Sequence, residues 1–339
     1  MSHVNRFPRK IRDSSKGREW NCSFHSFGGA LVWAAMRRQN PLALCLLMSF
    51  SLLGCRPEGA EEKALDNTET QAVVESTPTP VLAPVATPRR DWTEEAAHSA
   101  LRAANPDYTG TASFGIVEGE IIAVEARACG LVDISPIGRM EPRALDLAEN
   151  PLSNLEPLRG VAVLELYLEQ TPVSDLGPLE GAPLTKLYLS NCPVEDIAPL
   201  RGAPLEEFNA IGTGISDLSP LEGMPLRMLW LTGAPVSDIS PLASLSFLES
   251  LTIPQTSVVS IAPLANSGLQ RLHIAETLVT DLSPVASMSL TRLIFSPNRI
   301  EQGIDVVRSA PFLRELGTSF EGRMPPGTFW DEYDRGAFL

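Results

Sequence analysis

The chain has 339 residues, 44% of them hydrophobic and 20% charged, with a formal net charge of −14. That balance excludes disordered and collagen-like chains, and 29 prolines do not suit ordinary helices or central strands, where proline breaks the hydrogen-bond ladder. Residues 1–55 carry a net +6 and the remainder a net −20; so acidic a body is a poor partner for phosphates, and no nucleic-acid partner is expected.

The first element is an apolar run from Pro41 to Gly54, too short to span a bilayer core as a helix. Arg37 and Arg38 precede it, giving the basic and apolar regions of a secretory signal. The run ends in Leu52-Leu53-Gly54-Cys55, which resembles the lipobox of bacterial lipoproteins. That resemblance implies cleavage before Cys55 and acyl chains on it, a bilayer anchor in which each buried methylene contributes about 0.8 kcal/mol. The signal region is 1–55, with the lipobox at 52–55. Residues 1–35 are long for a basic leader, whereas a start at Met36 gives a signal of ordinary proportions. Arg rather than Asp at position 56 resembles lipoproteins not retained at the inner membrane. The expected location is the cell envelope, anchored to the outer membrane, facing the periplasm or the surface.

Residues 56–90 are acidic and then rich in Pro and Thr, with Pro78, Pro80, Pro84 and Pro88. They read as a disordered, semi-rigid tether of extended character. An N-terminal helix-hairpin cap is expected over 91–120. Asp91-Trp92-Thr93-Glu94 reads as a capping-box start, with Trp92, Ala96, Ala97, Ala100, Leu101 and Ala104 on one helix face before Asn105-Pro106 stops it. Thr111–Val117 and Glu120–Glu125 read as a hairpin.

The body, residues 121–318, repeats. A loose Asp-Leu/Ile-Ser-Pro-Leu core recurs at Ile134, Leu155, Leu176, Ile197, Leu218, Ile239, Ile261 and Leu282, spaced by 21 residues with a single 22. A Leu-x-Leu pair keeps the same beat upstream, as in Leu145/Leu147 and Leu166/Leu168. Period two sends both apolar side chains inward and the middle residue to solvent. The pattern resembles the leucine-rich repeat in the short form of internalin-like proteins. It implies an α/β solenoid: a concave parallel β-sheet, with an irregular, 3-10 convex side entered through proline at a first helical position. The Asp column (Asp133, Asp175, Asp196, Asp217, Asp238, Asp281) reads as turn caps rather than calcium ligands. Cys129, Asn150, Thr171, Cys192, Thr213, Ala234, Thr256, Thr277 and Asn298 are expected to point inward and bond amides of neighbouring turns. Cys129 and Cys192 lie three rungs, about 14 Å, apart, too far for a disulfide at about 7 Å.

Gln302–Ser309 reads as a longer helical segment and Leu313–Leu316 as a last strand, before a C-terminal cap and tail at 319–339. Asn105-Pro106-x-Tyr108-x-Gly110, the Asp-Ile-Ser-Pro units and Phe329-Trp330-x-x-Tyr333-Asp334-x-Gly336-x-Phe338 are similar to repeat domains of planctomycete-type bacteria. Those often follow kinase domains, but no kinase motif occurs here.

The middle residues form a solvent-facing column: Glu125, Asp146, Tyr167, Tyr188, Asn209, Trp230, Thr252, His273 and Ile294. Beside it run Glu165, Lys186, Glu207, Met228, Ser250, Arg271 and Arg292. Aromatic anchors on a rigid sheet suit a protein, peptide or glycan, and the change from acidic first rungs to Arg271 and Arg292 would orient it. The candidate binding residues are Tyr167, Tyr188, Asn209, Trp230, His273, Lys186, Arg271 and Arg292. Past the signal only His98 and His273 remain, without a phosphate loop or a Gly-x-Ser-x-Gly. No metal, cofactor or catalytic activity is expected. Glu165 and Glu207, two rungs or about 10 Å apart, are a poor carboxylate pair for glycan cleavage. The expectation is an anchored, monomeric binding protein; a spacer without a ligand is the alternative, and a glycan-acting enzyme a remote third.

Overall fold

A computed structural model describes residues 91–338, together with the backbone of 11–12 and 19–20. Met36, the lipobox with Cys55 and the tether 56–90 lie outside the described residues. The chain divides into two units, Met1–Val81 and Leu82–Leu339. In the first, β1 (Ile11–Arg12) pairs antiparallel with β2 (Glu19–Trp20).

The second unit is a leucine-rich repeat solenoid. It opens with α1 (Glu94–Ala104), whose N-cap is Thr93: its side chain accepts the Ala96 N–H at 3.2 Å. The helix therefore starts later than Asp91, because the Trp92 N–H is bound to the Gly119 carbonyl at 2.8 Å. Ala97 and Leu101 are buried and Ala96 is exposed. β3 (Ser113–Val117) and β4 (Glu120–Glu125) form the antiparallel hairpin. Glu118 and Gly119 both take positive φ, 51° and 79°, as a two-residue hairpin turn requires. Asn105 does more than stop the helix. Its Nδ2 donates to the Leu101 and Asp133 carbonyls and its Oδ1 accepts the Val132 and Asp133 N–H groups, so one buried side chain fastens the cap to the first turn.

From β4 the sheet continues in parallel through β5 (Ala144–Asp146), β6 (Glu165–Tyr167), β7 (Lys186–Tyr188), β8 (Glu207–Asn209), β9 (Met228–Trp230), β10 (Ser250–Thr252), β11 (Arg271–His273), β12 (Arg292–Ile294) and β13 (Glu315–Gly317). Among the described residues this is one 11-stranded sheet in chain order from β3 to β13. Its register stacks Leu145, Leu166, Leu187, Phe208, Leu229, Leu251, Leu272, Leu293 and Leu316. All of them are buried.

The convex side begins with α2 (Ser135–Gly138) and continues in short 3-10 turns such as Glu156–Leu158 and Ser219–Leu221, each with proline in its first turn. The Asp column does cap these turns. Asp133, Asp175, Asp196, Asp217, Asp238 and Asp281 each accept the N–H two residues on, at 2.7–2.8 Å. Four turns close on a left-handed glycine (Gly160, Gly181, Gly202, Gly223). Ser244 and Ser287 stand at the matching place in Ser240–Ser244 and Ser283–Ser287, and there the 3-10 turn runs on to five residues. The extra residue of the 22-residue unit is absorbed just after the first of these, in the Ser246–Phe247 turn.

Two expectations change inside the coil. Thr171, Thr213, Thr256 and Thr277 are buried, but their hydroxyls donate to carbonyls three residues back at 2.7–2.8 Å. A threonine hydroxyl is too short to reach the amides of the next turn. The longer Asn150 does so, accepting the Cys129 and Leu131 N–H groups, and Cys192 Sγ reaches the neighbouring turn as a donor, to the Leu168 carbonyl at 3.0 Å. Asn298 is exposed, because the chain turns off the ladder in a 3-10 segment at Pro297–Arg299. Cys129 and Cys192 are buried free thiols. Past β12, α3 (Ile304–Arg308) and α4 (Pro326–Asp334) close the far end. There Phe329 is fully buried, with ring centroids of Phe295, Trp330 and Phe338 at 5.6, 5.1 and 4.8 Å.

Candidate functional site

The pleat that sends Leu145 and Leu147 inward turns Asp146 out, and the same holds on each rung from β4 to β11. On β6 and β7 the outward residues Tyr167 and Tyr188 are register partners, with ring centroids 4.9 Å apart. Trp230 stands two strands beyond Tyr188, yet their centroids are only 6.2 Å apart. Asn209 between them makes this possible. It is short and folded back, its Oδ1 accepting the Ser190 hydroxyl at 2.8 Å and the Ile211 N–H at 3.1 Å. The three rings make one continuous ridge along the concave face.

The flanking charges turn inward on one another. Lys186 Nζ lies 3.3 Å from Glu165 and 3.9 Å from Glu207. The Tyr188 hydroxyl donates to Glu207 at 2.6 Å and the Tyr167 hydroxyl to Glu165 at 3.4 Å. Burial, and then the neighbouring carboxylates, hold both tyrosine pKa values well above the usual range. These hydroxyls stay neutral and engaged, so the two tyrosines offer a ligand ring faces rather than free hydroxyl donors. Each of Glu165 and Glu207 is likewise engaged with a lysine and a tyrosine.

The two ends of the face differ. Around β4–β6, Glu125, Asp146, Glu149 and Glu169 gather near Arg127, which pairs with Glu149 at 3.0 Å and reaches Asp146 at 3.9 Å. Burial, only partly offset by the Ala148 N–H and Arg127, raises the Asp146 pKa. Burial likewise raises that of Glu169, whose Oε2 is buried without a hydrogen-bond partner. The sequence reading passed over Glu169. It stands two residues past the Leu-x-Leu centre, in a column that also holds Arg127, Ala148, Ser190, Ile211 and Thr232; a carboxylate two rungs from Arg127 in that column was the signal.

At the other end, His273 is half-buried, and burial lowers its pKa, so it is neutral near pH 7. Arg271 has no ion pair among the described residues. Arg292, its register partner, bonds Glu315, which also holds Arg323 at 3.5 Å. The Phe320 ring lies 6.0 Å from the Arg292 guanidinium and 4.0 Å from that of Arg323. Ile294, expected to face solvent, is 1% exposed. Its register partner Gly317 shows why. A Cβ there would meet Gly322 O, Arg323 Cα and Ser319 O at 3.0–3.1 Å, so the chain past β13 folds back over the concave side. The structure thus groups Tyr167, Lys186, Tyr188, Asn209 and Trp230, sets His273 and Arg271 further along the same open face, and draws Arg292 into the C-terminal cap. Among the described residues no set of three or more His, Cys, Asp or Glu is arranged to hold a metal ion, and no helix is long and apolar enough to cross a membrane.

Compared with known proteins, the chain matches no protein-family model and no curated protein. Solved structures do resemble it. It is similar to internalin C2 of Listeria monocytogenes, at 25% identity and a TM-score of 0.51, over 59% of this chain and 92% of that one. It is also similar to the internalin InlF of the same organism, at 23% identity and a TM-score of 0.54, over 65% of this chain and 73% of that one. The likeness is that of an internalin-type leucine-rich repeat scaffold.

Proposed function

We propose that this chain is an envelope-anchored recognition protein that takes a protein, peptide or glycan on its concave face. The continuous Tyr167–Tyr188–Trp230 ridge, with centroid separations of 4.9 and 6.2 Å, carries the reading. Aromatic side chains held on a rigid sheet have little entropy left to lose on binding and supply large apolar contact. Asn209, Lys186, His273 and Arg271 border the ridge, and Arg292 limits it. The internalin-like scaffold favours a binding role over catalysis. In this reading translation starts at Met36, the signal is cut before Cys55, and the acylated Cys55 carries a monomeric solenoid on the 56–90 tether at the outer membrane.

Two experiments test it. The full chain carrying Tyr167→Ala, Tyr188→Ala and Trp230→Ala should lose partners that the parent chain captures from envelope extract, while unfolding at the same denaturant concentration. Unchanged capture would remove the concave face from the reading. Separately, Cys55→Ser should move the protein out of the membrane fraction and strip the acyl mass from its mature amino terminus; no change in either rejects the anchor.

A further inference from the structure

The concave face has the same backbone throughout, but its charges are spent unevenly. Glu165, Lys186 and Glu207 neutralise one another beside the ridge, and Arg292 is taken by Glu315. What remains for a partner is confined to two places. Toward the first rungs stand exposed Glu125, which accepts the Ser113 hydroxyl at 2.7 Å, half-buried Asp146 and Glu169, and exposed Glu149, with Arg127 as the one cation paired among them. Toward the last open rungs stands Arg271, on β11. Between the two lies the ridge, whose hydroxyls are already bonded.

We propose that the face takes an extended polypeptide segment with a basic residue at one end, aromatic or proline residues in the middle and an acidic residue at the other. The basic residue sits over Glu125 and Asp146 and the acidic one on Arg271. The inference rests on the concave-face reading above. Chemistry favours a polypeptide over a glycan: an oligosaccharide needs free donors and acceptors beside each stacked ring, whereas the carboxylates and hydroxyls beside Tyr167 and Tyr188 are committed to one another. The occupant must also match opposite charges at the two ends, and electrostatic complementarity of this kind sets register and rejects wrong partners.

The face sets the spacing as well. Arg271 lies six strands from Asp146, about 29 Å at ~4.8 Å per strand. Extended chain at ~3.3–3.6 Å per residue covers that span in roughly eight or nine residues. Beyond Arg271 the chain past β13 closes the face, so the acidic end is also the end of the track. Side-chain pairing alone does not fix which way the segment runs; it fixes the separation of its charges.

The test uses the full chain and labelled peptides of one composition, read by fluorescence anisotropy. One probe carries an arginine and an aspartate about eight residues apart around a Tyr- and Pro-containing centre; the second carries the two charges side by side at one end. The separated-charge probe should bind about tenfold more tightly, equivalent to about 1.4 kcal/mol. Arg271→Glu should cancel that preference and instead favour a probe with arginine at both ends, with an unchanged unfolding midpoint showing that the variant is folded. Equal binding of both probes, lost together in Tyr188→Ala/Trp230→Ala, overturns the charge-spacing proposal and leaves the ridge standing as a binding surface. No peptide binding up to millimolar concentration, or displacement of the peptides by a neutral oligosaccharide, overturns the polypeptide class. Binding indifferent to both Arg271 and the ridge overturns this inference and the concave-face reading together.

Discussion

The two ends of the solenoid meet the same demand, an apolar edge that must not face water, by different means. The N-terminal cap adds an antiparallel strand, a capped helix and one buried asparagine, and leaves the concave side of its rungs open. There Glu125 is exposed and Asp146 half-buried. The C-terminal cap is an aromatic cluster around Phe329, and its chain also folds back over the concave side, covering Ile294 and engaging Arg292. Sealing an edge and shaping a binding face are therefore separate tasks. One cap performs only the first, the other both, and the open face runs from the acidic rungs to β11.

The largest expected effects come from emptying each cap. Phe329→Ala removes a ring that touches Phe295, Trp330 and Phe338 and should destabilise by about 3–5 kcal/mol, against about 2–5 for Leu101→Ala at the other end. Stability in stacked repeats passes mainly between neighbours. Hydrogen exchange should therefore speed up at β12 and β13 in the first variant and at α1–β4 in the second. If Phe329→Ala loosened both ends equally, the caps would not be independent.

A smaller effect separates how the cap helices begin. Thr93 bonds the Ala96 N–H, whereas α4 starts at Pro325–Pro326 without a side-chain cap. Thr93→Ala should cost about 1 kcal/mol, read from the urea midpoint. At the far end Arg308 instead ties the last residue of α3 to the last of α4, lying 4.8 Å from the Trp330 ring centroid and bonded to Asp334 at 2.6 Å.

The solenoid was legible because its period is a backbone requirement. Each coil needs the same residues inward, so Leu145, Leu166 and their successors repeat, and the prolines and Asp caps mark the turn between them. The ridge was legible for the same reason, since Tyr167, Tyr188 and Trp230 occupy one phase of that period. What escaped does not repeat. Ile294 and Arg292 owe their surroundings to the chain beyond β13, which folds back only once. The threonine ladder was placed correctly and its bonds were not, because inward direction follows from phase while reach follows from side-chain length. Glu169 is the one carboxylate in a column that otherwise holds Arg127 and small or uncharged residues, and its burial follows from packing that the repeat phase does not specify.

The finest test of the contrast is electrostatic, and its sign differs between the ends. Burial raises the Glu169 pKa, so the folded chain holds that proton to higher pH than the unfolded chain does. Between the unfolded and folded values the native state binds more protons, and stability falls as pH rises through that window. Glu169→Gln should accordingly raise the melting temperature at pH 7, and the gain should vanish as the solution is acidified toward the unfolded carboxyl value of about 4.3. Glu315 is the opposite case. Its hydrogen bond from Arg292 lowers its pKa, so its contribution is present above the unfolded value and lost as pH falls through the folded one. Glu315→Gln should therefore lower the melting temperature at pH 7, by a small amount because the pair is partly exposed and screened, and this loss too should fade in acid. Melting curves of the two variants should approach the parent from opposite sides, Glu169→Gln by the unfolded carboxyl value of about 4.3 and Glu315→Gln only below it, as pH falls through the lowered folded value. Convergence from the same side would mean that the acidic rungs are neutralised as fully as the C-terminal cap, and the open end of the face would then have no charge to spare for a partner.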